Sequence, residues 1–320
     1  MTLFISRTAP FRKLQSRIGS ATYRLNTILV GLEFIANGGD KTAKLAVTWK
    51  KPSFEKANEV ATQAQIFACS AALALASDVF DQFLRDISRE SWLQFDDQTI
   101  AIATKSVTRP DSDGGDYSVA ERAETILADL KITEPELLAG IDLFAKWRNV
   151  VVHSAKRNAK VDDRFERTLA SSQIFFHDNF SHLDMRLALT NFMSRKIPVP
   201  KEVTSLIAMA QRVSRRIDEE AIKRAAGSSA SMERSVDAIL QSYFSYSRRS
   251  ISATREIAEA WQGPIEKRRA KFLKILQQLG VANVKSPVSA ALRESYITEA
   301  TNLTPQAAMQ RFGQFAQEDR

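Results

Sequence analysis

The chain has 320 residues, a hydrophobic content of 44%, a formal net charge of +8 and one cysteine. This length is ample for a sizeable core in one large or two ordinary domains, and the lone Cys69 excludes an internal disulfide. The longest apolar run, Ile66 to Ala76, is too short for a bilayer span, and the N-terminus has no signal-peptide pattern. We expect a cytoplasmic protein without a membrane segment. The positive charge fits a polyanionic partner such as nucleic acid but does not identify one.

Two long helices are predicted at the start of the chain, because Gly and Pro are scarce, with 11 and 9 residues. The first runs from about Pro10 to Ala36, and the second from about Ser53 to Ser88. The second is rich in alanine in its middle, which would let a neighbouring helix approach closely. The first has apolar residues at heptad spacing, which predicts packing along another long helix. These residues are Leu14, Ile18, Ala21, Leu25, Ile28, Leu32 and Ile35.

Two capping boxes mark predicted helix starts in the middle of the chain. Ser118 and Glu121 form the first, in which the hydroxyl and the carboxylate each bind a backbone N–H of the first turn. Thr133 and Glu136 form the second. We therefore predict a helix from Glu134 to about Ala155.

The rest of the chain also has helical composition, with breaks at polar, Gly-containing or Pro-containing stretches. Residues 226 to 231, AGSSAS, have the composition of a hinge, so we predict two regions, 1–225 and 226–320. The sequence thus indicates an all-α protein. The later helices are predicted at 164–176, 181–195, 200–224, 232–261, 264–280, a short piece after Pro287, and a last one opened by Thr304 and Pro305.

The stretch KWRNVVVHSAKR, residues 146 to 157, gives the predicted helix an unusual end. Its apolar residues cover more than half of the helix circumference, so the helix is largely buried. One polar stripe contains Asp142, Lys146, Asn149, His153, Lys156 and Arg157. Arg148 instead falls inside the apolar arc, about 140° from His153. A buried unpaired guanidinium is costly. Arg148 must therefore pair with a carboxylate, for which Asp78, Asp81 and Asp86 are candidates, or point into a polar cleft or a subunit interface.

Arg148, Asn149, three valines and His153 resemble the signature of the HEPN superfamily ribonucleases, an arginine, four residues and a histidine. The resemblance implies a HEPN-type helical bundle over roughly residues 1–225, with additional C-terminal helices of unknown role. It also implies a homodimer in which both motifs line one cleft. Such enzymes cut RNA without a metal or other cofactor, by attack of the ribose 2′-OH on the adjacent phosphate. Members serve as toxins, in antiphage defence and in RNA processing, so a regulatory protein partner is a further expectation.

The resemblance assigns roles to individual residues. Arg148 would stabilise negative charge on the phosphoryl group, Asn149 would orient or form hydrogen bonds, and His153 would act in proton transfer, which agrees with the chemistry of these side chains. Lys146, Lys156 and Arg157 would bind substrate phosphates. In HEPN toxins paired with a nucleotidyltransferase, a tyrosine follows the histidine by two residues. Ala155 stands there, which puts control by tyrosine modification in doubt.

Other interpretations stay open at the level of the sequence. The chain could be a non-enzymatic helical scaffold that binds RNA or a protein, with Arg148 paired in its core and His153 at its surface. The aromatic and basic residues from Tyr243 to Arg255 could stack on RNA or form one buried and one solvated helix face. His177 and His182 are five residues apart and do not share a helical face, so we expect no metal site.

Overall fold

The computed structural model describes residues 2–37, 52–110, 115–153, 160–245, 250–284 and 286–313. Over these residues the protein is all-α, as predicted, with fourteen α-helices and one short 3-10 helix, Ser91–Leu93. The α-helices are α1 (Ala9–Ala36), α2 (Phe54–Ser88), α3 (Asp97–Ala103), α4 (Val119–Asp129), α5 (Pro135–Val152), α6 (Asp163–Ser171), α7 (Gln173–Asn179), α8 (Met185–Met193), α9 (Pro200–Ala226), α10 (Ser229–Ser245), α11 (Ser250–Trp261), α12 (Ile265–Gln278), α13 (Glu294–Asn302) and α14 (Pro305–Phe312).

The chain divides into two compact units, each assembled from separate segments. The terminal unit comprises Met1–Arg12, Asp86–Thr104 and Arg215–Arg320, and the central unit comprises Lys13–Arg85 and Lys105–Ser214. Three of its cuts fall inside helices, in α1, α2 and α9, and the fourth falls after α3. It does not coincide with the boundary at residue 225 that the sequence predicts.

The core of the central unit is built around α5, which packs against α4 and α6. Its apolar face is completely buried at Leu137, Ile141, Phe144 and Trp147, as the wide apolar arc predicts. The indole Nε1 of Trp147 donates a hydrogen bond to the backbone oxygen of Lys196 at 3.0 Å. This polar contact satisfies the one polar atom of a buried indole and fixes the last turns of α5.

The terminal unit has an aromatic core and a small sheet. Trp261 lies against Phe244, Phe272 and Phe312, and its indole nitrogen donates to the backbone oxygen of Ala300 at 2.8 Å. The N-terminal residues contribute strand β1 (Phe4–Ile5), which pairs antiparallel with β2 (Val281–Ala282). The register is Phe4 with Ala282 and Ile5 with Val281.

One predicted capping box is confirmed. In α4 the backbone N–H of Glu121 donates to Ser118 Oγ at 3.2 Å, and the backbone N–H of Ser118 donates to Glu121 Oε2 at 2.7 Å. The start predicted from Thr304 is also confirmed, because its hydroxyl accepts from the Ala307 backbone in α14.

The second capping box is wrong, and so are both ends predicted for its helix. α5 begins at Pro135, and Glu134 rather than Thr133 occupies the cap position, without a side-chain capping bond. Proline is favoured at the first helical position because it has no N–H and a fixed φ. At the other end, α5 stops at Val152, short of the predicted Ala155.

Three later segments differ from the prediction. The single helix predicted at 164–176 is two helices, α6 and α7, which separate at Ser172. The helix predicted at 181–195 is shorter, because Ser181 and His182 have φ of 53° and 60° and Asp184 caps α8 through the Leu187 N–H. The segment predicted at 232–261 contains both α10 and α11. The connector predicted at 40–52 lies almost entirely outside the described residues.

The length and composition of α2 also fit a membrane span. Its longest apolar run, Ile66 to Ala76, is by itself too short for one. Residues Glu55–Ser88 contain an 18-residue window with a mean hydropathy of 1.4, of which 39% is buried. A core helix of a soluble protein meets the same criterion, so this is weak evidence for a membrane. It does show that α2 leaves much apolar surface uncovered.

Candidate functional site

The predicted motif lies where α5 ends, and the ending changes its geometry. Val152 is the last helical residue, and His153 has φ −118° and ψ 80°, which is outside the helical region. The His153 N–H still donates to the Asn149 backbone oxygen at 2.9 Å. Because the backbone turns at His153, the imidazole does not occupy the position that a straight helix would give it. The 140° separation expected from a helical wheel therefore does not apply.

The guanidinium of Arg148 contacts three side chains. Its Nη1 lies 3.3 Å from Asn149 Oδ1 and 3.3 Å from His153 Nε2, and its Nη2 donates to Asp78 Oδ1 at 3.0 Å. The structure thus brings together all three residues predicted to be catalytic. We call Arg148, Asn149, His153 and Asp78 the arginine cluster. All four belong to the central unit.

The contact between Arg148 and His153 has one possible hydrogen-bond direction. A guanidinium only donates hydrogen bonds, so the 3.3 Å contact is a hydrogen bond in the tautomer of His153 whose Nε2 is the acceptor. The two hydrogens on Arg148 Nη1 then bond to Asn149 Oδ1 and His153 Nε2. The same ring nitrogen can accept a proton from a ligand once Arg148 binds that ligand instead.

The arginine cluster opens to solvent. The Arg148 side chain is 24% exposed, Asp78 is 61% exposed, and His153 lies on the surface. Arg148 therefore combines two of the outcomes expected from its place in the apolar arc: it extends to the edge of the helix, and it pairs with one of the three candidate aspartates. The pair is a partly exposed ion pair rather than a core one, so an anionic ligand can reach the guanidinium.

Among the predicted phosphate-binding residues, Lys146 is described by the structure, and it is not brought to this cluster. Lys146 lies about 160° around α5 from Arg148. Its charge lowers the pKa of Asp142, although burial, the larger effect, raises that pKa above its usual value. Asp142 is 3% exposed and accepts a hydrogen bond from the Asp162 N–H at 3.2 Å. Lys146 thus lies on the side of α5 that carries the buried Asp142. Lys156 and Arg157 lie outside the described residues.

A second arginine, Arg122, forms an ion pair with α2 at Asp81, one turn after Asp78. Arg122 of α4 is 1% exposed and donates to Asp81, which also pairs with Arg85. Desolvation lowers the pKa of Arg122 to about 10. The Asp81 pair joins α2 to α4 and so helps to hold the segment of α2 that carries Asp78. Sequence reasoning included Asp81 only as a candidate partner for Arg148.

The two other candidate sites are the histidine pair His177 and His182 and the aromatic and basic patch from Tyr243 to Arg255. The rings of His177 and His182 lie 4.5 Å apart, because His182 follows α7 in a left-handed conformation that a helical wheel does not foresee. In the part of the chain that the structure describes, no group of three or more His, Cys, Asp or Glu residues could hold a metal ion. In the predicted aromatic and basic patch, Phe244 is buried and Arg255 pairs with Glu259. Tyr246, Arg248 and Arg249 lie outside the described residues.

No family model, curated protein or solved structure matches this chain. The function is therefore inferred from the geometry of the arginine cluster and from the resemblance of its motif.

Proposed function

We propose that the protein is a metal-independent endoribonuclease of HEPN type, with Arg148, Asn149 and His153 as its catalytic residues. The observation that supports this proposal best is the pair of 3.3 Å contacts from Arg148 Nη1 to Asn149 and to His153. They place a permanent cation and a proton acceptor side by side at a solvent-accessible helix end. Cleavage of a phosphodiester by its own 2′-OH needs these two groups together.

The proposed reaction is a transesterification. As Arg148 turns to the phosphate it releases Nε2 of His153, which takes the proton of the ribose 2′-OH while that oxygen bonds to phosphorus, and the bond from phosphorus to the 5′-oxygen breaks. The 5′-oxygen takes up a proton from water as it leaves. The products are a 2′,3′-cyclic phosphate and a 5′-hydroxyl. Arg148 stabilises the charge that develops on the phosphoryl oxygens, and Asn149 orients the guanidinium.

Asp78 competes with the RNA for Arg148, because its carboxylate binds one edge of the guanidinium before RNA binds. A phosphate that binds Arg148 in a bidentate manner has to compete with Asp78 Oδ1, which lies 3.0 Å from Nη2. Lys156 and Arg157, which follow His153 in the sequence, would attract the RNA. The resemblance further suggests a cytoplasmic homodimer that acts as a toxin or an antiphage effector, under control of a regulatory protein.

The test is cleavage of a mixed RNA pool in EDTA by the wild-type protein and by His153→Ala, Arg148→Ala and His182→Ala. His182→Ala is the matched control, because His182 is an exposed histidine of the same unit. We expect products with cyclic phosphate ends from the wild type and the control, and at least a 100-fold lower rate for the other two. Equal cleavage by wild type and His153→Ala, or product ends with a 3′-hydroxyl, would contradict the proposal.

A second candidate function is a non-enzymatic scaffold that binds RNA or a protein. The ion pair between Arg148 and Asp78 is the observation in its favour, since it gives Arg148 a structural role. On this interpretation, Arg148→Ala weakens folding while His153→Ala has no effect on any RNA assay. Expression in cells distinguishes the two, because only a nuclease would be toxic in a manner that depends on His153.

A further inference from the structure

The histidine pair holds two of the chain's three histidines at the end of α7. The ring centroids of His177 and His182 lie 4.5 Å apart, with an angle of 52° between the ring planes. Both residues belong to the central unit, and both are exposed to solvent. The reaction proposed above uses neither ring, although imidazole is the commonest metal ligand among protein side chains.

The ending of α7 brings the two rings together. The Phe180 N–H donates to the Phe176 backbone oxygen at 3.0 Å, and the His182 N–H donates to the His177 backbone oxygen at 2.9 Å. Because Ser181 is left-handed, with φ 53°, the bond from His182 to His177 is the six-to-one bond of a Schellman motif. This motif frequently places the side chains at these two positions in contact. A continuous helix would separate them.

Buried neighbours hold the backbone of this turn in place. Phe176, Phe180 and Leu183 are at most 4% exposed, and they lie next to the histidine pair along the chain. Gln173 Nε2 also donates to the Leu183 backbone oxygen at 3.3 Å. A ligand of the two rings therefore binds to a turn that is already formed and does not have to order it first.

A carboxylate lies on one nitrogen of the first ring. Nδ1 of His177 is 3.0 Å from Asp178 Oδ1, a contact that is a hydrogen bond in the tautomer whose Nδ1 is the donor. In that neutral tautomer Nε2 carries the lone pair. Metal-binding histidines usually have a carboxylate or carbonyl on the second ring nitrogen, because it fixes the tautomer and makes the ring a better ligand.

We propose that the histidine pair binds a Cu²⁺ ion, with Nε2 of His177 and one ring nitrogen of His182 as its protein ligands. Among the residues that the structure describes, no third His, Cys, Asp or Glu completes a metal-binding group. Water or a ligand from solution therefore fills the remaining positions. Cu²⁺ is the divalent first-row ion that nitrogen ligands bind most tightly.

The distance between the rings fits a shared ion. A metal–nitrogen bond of about 2.0 Å places the centre of an imidazole about 3.2 Å from the metal. Two rings at a right angle around one ion then have centres about 4.5 Å apart, and two rings at the tetrahedral angle about 5.2 Å apart. The observed 4.5 Å corresponds to the right angle, which is the arrangement of tetragonal Cu²⁺ rather than of tetrahedral Zn²⁺.

Titration of the full chain with Cu²⁺, after dialysis against EDTA and then buffer, tests the site. We expect one ion per chain with a micromolar dissociation constant, and binding at least tenfold weaker in His177→Gln and in His182→Gln. His153→Gln is the matched control, because it removes the third histidine and leaves the pair intact. Unchanged binding in either pair variant would mean that the rings only pack against each other. That result, or loss of binding in His153→Gln, would overturn the proposal.

Electron paramagnetic resonance of the loaded protein tests the geometry. Bound Cu²⁺ should give the axial spectrum of a tetragonal ion, with coupling to imidazole nitrogen that disappears in the His177→Gln and His182→Gln variants. A spectrum of free aqueous copper in the wild type, or nitrogen coupling that persists in both variants, would contradict the assignment of the ligands.

Asp178→Ala tests the carboxylate. Its loss frees the tautomer of His177, so Cu²⁺ should bind about tenfold more weakly. Glu59→Ala removes an exposed carboxylate elsewhere in the central unit and should leave the affinity unchanged. Equal affinities of the two variants would contradict the part assigned to Asp178.

These outcomes are separate from those of the nuclease assay, because EDTA keeps metal off the histidine pair there and His182→Ala remains a valid control. A protein that binds copper through the pair and cleaves no RNA would keep this site and reject the proposed function. A ribonuclease that binds no copper would do the opposite.

Discussion

Two arginines of the central unit show how the surroundings of a side chain decide its role. Arg122 is 1% exposed and pairs with Asp81, whereas Arg148 is 24% exposed and pairs with Asp78. Both aspartates belong to α2, three residues apart. A buried pair is costly to break, since the remaining charge stays desolvated, whereas a pair that is open to water contributes little to folding. Arg148 is therefore the arginine that can leave its aspartate for a ligand.

The difference predicts opposite results for two alanine substitutions. Arg122→Ala should lower the free energy of unfolding by about 3 kcal/mol, through a lost buried pair and a cavity. Arg148→Ala should lower it by less than about 1 kcal/mol, because its pair is partly exposed. Urea denaturation of both variants, followed by circular dichroism, measures these values. If Arg148→Ala proves as destabilising as Arg122→Ala, Arg148 has a mainly structural role.

At this scale the sequence could predict which residues belong to the motif but not how they meet. The helical wheel separated Arg148 from His153 because it assumed that the helix continued to Ala155. Residues 150 to 155 contain no Gly or Pro that would signal an earlier end. The β-branched residues Val150, Val151 and Val152 lower helix propensity only slightly, so the stop at Val152 could not be read from local preference.

Helices could be predicted where local signals are strong. α1 and α2 follow from long stretches without breakers, α4 from its capping box, and α9 from Pro200 at its first position. The breaks at Ser172 and at Ser181–His182 could not be predicted from the sequence, because polar residues of this kind are common inside helices. Their backbone angles depend on tertiary contacts, such as the two bonds that Gln173 Oε1 accepts from the N–H groups of Met185 and Arg186.

Two glycines at the ends of α11 and α12 give a test at the level of single elements. Gly263 and Gly280 have φ of 93° and 88°, which strains any other residue. A Cβ at Gly280 would lie 2.6 Å from the Arg7 backbone oxygen, whereas a Cβ at Gly263 would meet nothing within 4 Å. Gly280 also accepts hydrogen bonds from Ser6 N and Ser6 Oγ, both at 2.9 Å, where α12 turns into β2.

Gly280→Ala should therefore destabilise the protein more than Gly263→Ala does. Gly263→Ala has only the backbone strain, about 1 to 2 kcal/mol, whereas Gly280→Ala must also displace the backbone at Arg7. Thermal unfolding of the two variants under identical conditions makes the comparison. Equal melting temperatures would show that the close approach of Arg7 to Gly280 contributes nothing.

At the scale of the whole molecule, the terminal unit depends on a contact between distant parts of the chain. Asp218 of α9 accepts hydrogen bonds from Thr8 N at 3.1 Å and from Thr8 Oγ1 at 2.5 Å. The same hydroxyl accepts from the Phe11 N–H in the first turn of α1. The carboxylate thus joins the start of α1 to α9, 210 residues later. This contact could not be predicted from the sequence, because Asp218 is one of several charged residues in a helix of mixed composition.

The contact makes stability depend on pH in a direction opposite to that of an ordinary salt-bridged carboxylate. Burial raises the pKa of Asp218 to about 7, although the two bonds from Thr8 and the charge of Arg7 lower it. The folded protein therefore holds this proton over a range in which the unfolded chain has lost it. The stabilisation is complete below about pH 4 and is lost as the pH rises to about 7, with an upper value of roughly 4 kcal/mol.

Asp218→Asn should remove this dependence while keeping an oxygen that accepts from Thr8. The free energy of unfolding of the wild type minus that of Asp218→Asn, measured in urea, should fall by a few kcal/mol between pH 4.5 and pH 7.5. Other titrating groups contribute equally to both proteins and cancel in the difference. Glu266→Gln, an exposed carboxylate of the same unit, controls for the loss of one acidic residue. A difference that stays constant or rises with pH would mean that Asp218 is already ionised in the folded protein, with the Thr8 bonds offsetting its burial.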